Sequence, residues 1–175
     1  AQVGADGSLE FEVPEGTYSL YIGTIQTGLG FREVTHGAPG AAGPCLDHYS
    51  SEAVNRYITR VSENLGPVLG GKLGDALRAL FVDSIELSGS NWTVDLLEEF
   101  RERRGYDLEP YFPFVFYEDP YQGYDDEFIP VNGFTDTLKR VRYDYNRTLT
   151  ELFLERFTET YHRWCNAQNT QSRYQ

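Results

Sequence analysis

The sequence predicts an α/β fold on three observations. The first is a short apolar run, Ala79-Leu80-Phe81-Val82, which passes directly into Asp83-Ser84-Ile85-Glu86 and then a small polar loop, Leu87 to Thr93. Such a run, too short for a helix and bounded by polar residues, has the character of a strand buried on both faces of a parallel sheet. The second is the pair of helical patterns flanking it, one opening at Ser50 and one over 94–104. The third is a long helical pattern from Asp136 to about Ala167, followed by Thr170-Gln171-Ser172-Arg173-Tyr174-Gln175, which reads as the start of another strand. A strand–helix–strand series fits a parallel sheet joined by crossovers.

Taken in order, residues 8–26 alternate. Leu9, Phe11 and Val13 oppose Glu10 and Glu12, Pro14-Glu15-Gly16 is turn chemistry, and Tyr18, Leu20 and Ile22 resume the alternation. This predicts a β-hairpin with one apolar face, which on its own is marginal and needs other strands to lean on. Residues 27–46 are a glycine- and proline-rich loop, and Gly28-x-Gly30 lacks the third glycine and the helix of a nucleotide fingerprint. Asp47-His48-Tyr49-Ser50 then opens a helix. Ser50 is suited to the N-cap and Glu52 to the first turn. Val54, Tyr57, Ile58, Val61 and Leu65 form its apolar stripe, Gly66-Pro67 ends it, and glycines at 70, 71 and 74 mark a flexible connection before the strand.

Thr93 is positioned to cap the helix over 94–104. Leu96, Leu97 and Phe100 face inward, Glu98, Glu99, Arg101, Glu102, Arg103 and Arg104 are read as mostly solvated, and Gly105 suits the C′ position. Residues 106–113 leave in an extended or turn-rich form. Residues 114–134 form an aromatic, acidic loop without period. The long helix carries Leu138, Val141, Tyr145, Leu149, Leu152, Phe153, Phe157, Tyr161 and Trp164 on a broad apolar face, and spans on the order of 45 Å.

Charge and composition narrow the partners. A formal net charge of −12 argues against nucleic acid and anionic membrane, both of which need a basic surface. No apolar run reaches transmembrane length, and the opening residues carry no signal-peptide pattern. Cys45 and Cys165 lack metal-ligand spacing and leave both free thiols and a disulfide open. His36, His48 and His162 show no zinc pattern. The order of elements divides the chain into 1–45, a hairpin and loop from a β-rich segment, and 46–175, a few units of a (β/α)8 barrel. A complete barrel needs about 250 residues, so 175 residues hold only part of one.

Carboxylates where a parallel strand ends lie at the edge where α/β folds do chemistry, which makes Asp83 and Glu86 candidate site residues. Asp83 as a turn former and Glu86 as a solvated loop residue is the alternative. Asp47 is suited to a turn or cap ahead of its helix. Trp92 is either a stacking surface or a hydrophobic staple against Leu96.

Several blocks together resemble glycoside hydrolase family 106, the α-L-rhamnosidases. They are Val13-Pro14-Glu15-Gly16-Thr17-Tyr18, Asp47-His48-Tyr49-Ser50-Ser51-Glu52-Ala53-Val54, Phe81-Val82-Asp83-Ser84-Ile85-Glu86, Asn91-Trp92-Thr93, Glu99-Phe100-Arg101, Arg104-Gly105-Tyr106-Asp107-Leu108 with Pro110-Tyr111, and Arg173-Tyr174-Gln175. The blocks cover nearly the whole chain in the family's order. Ile85 stands where an aromatic is expected, and 114–134 does not align. The resemblance implies a large secreted or periplasmic enzyme with a catalytic (β/α)8 barrel and β-sandwich domains. It implies removal of terminal α-L-rhamnose from plant polysaccharides or glycosides with inversion, and a calcium ion at the sugar site. This chain would be a fragment of it, inactive alone.

Glycoside hydrolysis uses two carboxyl groups, roughly 6.5–9.5 Å apart in inverting enzymes and about 5 Å in retaining ones. Asp83 and Glu86 are three apart at a strand end, where alternation sends them to opposite sides unless the chain bends. Glu86 is therefore read as the general acid, with its base elsewhere in the enzyme, and Asp83 as a residue that orients the pocket or ligates calcium. Asp47, His48, Asn91 and Trp92 are the candidate substrate contacts. A β-galactosidase-like retaining barrel and a non-catalytic carbohydrate-binding module are the alternative readings.

Overall fold

The computed structural model describes residues 2–18, 20–25, 39, 46–85, 89–116 and 134–175. It is a mixed α/β arrangement of β1 (Gln2–Val3), β2 (Leu9–Glu10), α1 (Ser51–Leu65), β3 (Ala79–Val82), α2 (Leu96–Arg104), α3 (Phe112–Val115), α4 (Phe134–Phe153), α5 (Glu159–Ala167) and β4 (Gln171–Tyr174). Short 3-10 turns occupy Gly66–Val68, Leu73–Asp75 and Glu109–Tyr111.

The relationship that organises the rest is parallel pairing of β3 with β4, Ala79 opposite Gln171 through Val82 opposite Tyr174. The strand expected at the end of the chain is present, and α2 to α5 form the excursion between the two strands. Main-chain bonds extend the pairing at both ends, Gln171 N–H to the Arg78 carbonyl and Gln175 N–H to the Val82 carbonyl, each 3.1 Å. One expectation is corrected. Phe81 is 53% exposed and stacks under the Arg173 guanidinium at 5.5 Å, so β3 is covered on one face rather than two. Leu80 and Val82 alternate to the other side and pack on the core.

Gly74 allows the close approach that sets this geometry. Its N–H donates to the Gln168 carbonyl at 2.9 Å, and a Cβ there would stand 2.1 Å from the Asn169 carbonyl oxygen. The connection at 68–76 is therefore a packed turn with Leu73 fully buried, where a loose linker was expected.

α1 starts as its sequence dictates, with the Ser50 hydroxyl accepting from Ala53 N–H at 3.3 Å. Its stripe is narrower than the pattern suggested: Val54 and Ile58 are buried while Tyr57 and Leu65 are exposed. α2 ends at Gly105, whose φ of 79° is the left-handed cap that glycine adopts without strain. At its other end Asp95, not Thr93, holds the N-cap position.

α4 and α5 form one long helix interrupted at Leu154–Thr158 by a π-helical turn. Two apolar clusters flank it. One gathers Tyr49, Leu96, Phe100, Leu108, Val115, Val141, Tyr145 and Leu152; the other gathers Val54, Ile58, Phe157, Tyr161 and Cys165. Trp164 is half-buried at the margin of the second.

Charged residues on α2 that were read as solvated are drawn into the contact with the long helix. Arg156, on the π turn, bonds both Asp95 oxygens at 2.8 and 2.9 Å and also pairs with Glu99. Arg103 bridges Glu99 at 2.9 Å and Glu155 at 2.8 and 2.6 Å. Arg104 reaches Glu151 and the Thr148 hydroxyl. These guanidiniums are half-buried or better, and their forked geometry suits carboxylates on a facing helix.

The hairpin expected over 8–26 is not formed. β1 and β2 make a shorter antiparallel pair, Gln2 opposite Glu10 and Val3 opposite Leu9, while 11–18 and 20–25 carry no regular structure. Leu9, Phe11, Val13, Tyr18, Leu20 and Ile22 remain 44% to 76% exposed. Alternation marks a face that needs a partner, and none of the described residues covers this one. Residues 27–38 and 40–45, and 117–133 of the acidic loop, lie outside the described residues.

Candidate functional site

β3 and β4 run in the same direction, so their carboxyl ends form one edge. Asp83 and Ser84 follow β3 at this edge, exposed, with Ser84 N–H donating to Asp83 Oδ1 at 2.8 Å. Glu86 lies outside the described residues. The chain is described again from Gly89, and there the fold grips it firmly.

Three side chains from distant parts of the sequence hold residues 90–93. The Tyr49 hydroxyl donates to the Ser90 carbonyl at 3.1 Å, and the Tyr145 hydroxyl to the Asn91 carbonyl at 2.7 Å. Thr93, almost fully buried, donates its hydroxyl to Asp47 Oδ2 at 2.9 Å. The other Asp47 oxygen accepts the Tyr49 N–H at 2.9 Å. Asp47 thus closes a turn ahead of α1 and ties it to the segment ahead of α2. Arg156 completes the set by donating to the Tyr49 carbonyl at 2.9 Å.

Burial raises the Tyr49 phenol above its usual range, with the Asp47 charge adding to it; burial, with Tyr49 adding, raises Tyr145. Both therefore stay protonated donors at neutral pH. Burial lowers the His48 imidazole, against the opposing effects of the Leu46 carbonyl and Asp47. Its ring lies 4.9 Å from Phe157 and 6.2 Å from Phe153, centroid to centroid. Nδ1 donates to the Leu46 carbonyl at 2.8 Å, which fixes the proton on that nitrogen.

The structure thus ties Asp47 to the Asn91–Thr93 segment, whereas the contacts of His48 run to the Leu46 carbonyl, Phe153 and Phe157. Asn91 is exposed, its carbonyl turned inward to Tyr145. Trp92 is half-buried, with its ring edge-on to Phe112 at 5.8 Å and tilted against Phe116 at 6.3 Å. Sequence reasoning missed Tyr49, Tyr145 and Arg156 as holders of this segment. Their partners are 41, 54 and 107 residues away, and no local pattern carries such a pairing.

Among the described residues no group of three or more His, Cys, Asp and Glu converges to hold a metal ion. A shallow groove lined by Thr158, Glu159, His162, Arg163 and Tyr174 lies along α5, and no candidate residue lines it. His162 contacts Ser172 Oγ at 2.8 Å and the Asn166 amide at 3.1 Å. Cys165 is a buried free thiol, and Cys45 and His36 lie outside the described residues. No helix among the described residues is long and apolar enough to cross a membrane.

The chain is similar to the rhamnosidase of Novosphingobium sp. PP1Y, with a TM-score of 0.57 and 26% identity over 80% of this chain and 12% of that one. It is 28% identical over 168 residues to a protein of Formosa agariphila named "Putative beta-glucuronidase", covering 95% of this chain and 13% of that protein. It therefore spans only about an eighth of either relative. The family model for alpha-L-rhamnosidase, glycoside hydrolase family 106, matches residues 1–175. The strand-end block, the Asp47–Tyr49 turn and the clamped Asn91–Thr93 segment accordingly belong to a known lineage, and the chain is a member of the alpha-L-rhamnosidase family, glycoside hydrolase family 106.

Proposed function

We propose that this chain is part of a glycoside hydrolase that releases terminal α-L-rhamnose from plant polysaccharides or glycosides with inversion. Residues 46–175 are the early units of its (β/α)8 barrel, and 1–45 belong to a β-rich segment ahead of it. The observation that carries the reading is Asp83 one residue beyond β3, at the carboxyl edge of a parallel pair, in a chain matched by the family over its whole length.

Glu86 is the general acid that gives its proton to the departing glycosidic oxygen, and the base that activates water comes from another part of the enzyme. Asp83, its Oδ1 held by Ser84 N–H, orients the pocket. Asn91 offers hydrogen bonds to sugar hydroxyls, and Trp92 walls the site where its ring is exposed. Asp47 acts on the substrate through the segment it braces, and His48 is a direct sugar contact. Secretion or periplasmic export suits such a substrate.

Calcium takes six to eight oxygens, and the described residues do not fit it: no acidic cluster converges among them. Asp83 would supply at most one of those oxygens, and the rest would come from other parts of the enzyme.

A second reading of the sugar has one observation behind it, the β-glucuronidase name of the Formosa relative. Hydrolysis of paired aryl glycosides by the full-length enzyme separates the two. Release from the α-L-rhamnoside and not from the β-D-glucuronide supports the first reading; the reverse selectivity installs the second.

A further inference from the structure

Tyr49 and Tyr145 come from different elements, one just ahead of α1 and one in the middle of α4, yet their hydroxyls end on neighbouring peptide units. The bonds are 3.1 Å to the Ser90 carbonyl and 2.7 Å to the Asn91 carbonyl. Both residues are buried, 7% and 6% exposed, in the same apolar cluster. A buried phenol must find an acceptor, but nothing requires two of them to find consecutive carbonyls of one loop. Tyr49 is itself held at both main-chain ends, by Asp47 Oδ1 on its N–H and Arg156 on its carbonyl. With two successive carbonyls fixed inward and Thr93 tied to Asp47, the backbone under Asn91 has little freedom, while Asn91 itself stays exposed.

We propose that Tyr49 and Tyr145 are positioning residues of the sugar site. By gripping the Ser90 and Asn91 carbonyls they set the direction in which the Asn91 side chain leaves the loop that follows β3. The inference rests on the reading above that Asn91 meets the sugar. A side chain amide on a fixed backbone binds a hydroxyl without first losing loop freedom, and that advantage disappears when the backbone is released.

The test uses the full-length enzyme with Tyr49→Phe, Tyr145→Phe and Asn91→Ala. Tyr106→Phe serves as a matched control, because it also removes one phenol bond, to Asp144 at 2.9 Å, but none to this loop. Steady-state kinetics on an aryl α-L-rhamnoside are read beside hydrogen exchange of the 89–93 amides. Each loop-facing variant is expected to raise KM roughly three- to tenfold, the worth of one hydrogen bond, with kcat within about twofold of wild type. The 89–93 amides exchange faster in those variants, Tyr106→Phe moves neither reading, and in an Asn91→Ala background Tyr145→Phe no longer raises KM. An unmoved KM in an active enzyme overturns the positioning role, as does an equal rise in Tyr106→Phe or a KM effect that persists without Asn91. A wild-type enzyme with no rhamnosidase activity overturns instead the functional reading beneath it, and the sugar role of these tyrosines falls with that reading.

Discussion

Thr93 donates its hydroxyl to the Asp47 carboxylate at 2.9 Å, across 46 residues of sequence. This bond joins the turn that opens α1 to the loop that opens α2. It also explains why Thr93 does not cap α2: its hydroxyl is already engaged, and Asp95 occupies the N-cap position. Thr93→Val keeps the shape and deletes the donor. It is expected to destabilise this region by about 1 kcal/mol, the typical worth of a hydrogen bond, whereas Thr93→Ser, which keeps the hydroxyl, recovers most of that loss. Local unfolding energies from native-state hydrogen exchange check the pair.

Arg156 joins α2, the π turn and Tyr49 at a half-buried position. Arg156→Met keeps the packed stem and removes the charge, leaving Asp95 and Glu99 facing each other. The expected cost is about 2 kcal/mol, between the worth of an exposed pair and that of a buried one. A midpoint shift in denaturant unfolding measures it.

The same network sets an acid limb. The hydrogen bond from Arg156 holds the Asp95 carboxyl below its ordinary 3.8, and the bond from Arg103 holds Glu155 below 4.5. Carboxyls lowered on folding contribute stability that is present above their unfolded pKa values and lost as pH falls through the folded ones. Stability is therefore expected to drop as pH falls from about 4.5. Arg156→Met flattens the Asp95 part of that drop. An identical acid limb in wild type and variant contradicts the assignment.

His48 works in the same direction at higher pH. Burial against Phe153 and Phe157 lowers its pKa from 6.5, so its neutral form contributes stability that is present above 6.5 and lost as pH falls through the lowered value. NMR titration is expected to find its midpoint below 6.5 with the proton on Nδ1 when neutral. A midpoint above 6.5 contradicts the burial account.

Gly74→Ala places a methyl 2.1 Å from the Asn169 carbonyl oxygen, on the approach to β4. Neither backbone yields easily, and a loss of about 1–3 kcal/mol is expected. Faster amide exchange in β3 and β4 locates it.

The elements legible in the sequence were those specified locally. Ser50 at its cap, Gly105 in its left-handed turn, the strand at 79–82 and its partner at the end of the chain each depend on residues within a few positions. What stayed hidden depends on distance in sequence. Arg103 and Arg104 read as solvated because their partners Glu155 and Glu151 lie on the long helix, 47 or more residues on. Tyr145 read as a core ring, which it is, but the destination of its hydroxyl is set by a loop 54 residues away. The failed hairpin shows the converse: alternation at 9–22 records a preference for one covered face, and pattern alone cannot supply the cover.

The central claim is that an acid at position 86, carried by the loop after β3, protonates the leaving group of a rhamnoside. Glu86→Gln in the full-length enzyme tests it most directly, with rates compared on an unactivated alkyl rhamnoside and on a dinitrophenyl rhamnoside whose leaving group needs no proton. The prediction is a fall of roughly 10²–10⁴-fold on the first substrate and a far smaller one on the second. Near-normal turnover of the unactivated substrate, or an equal loss on both, contradicts it.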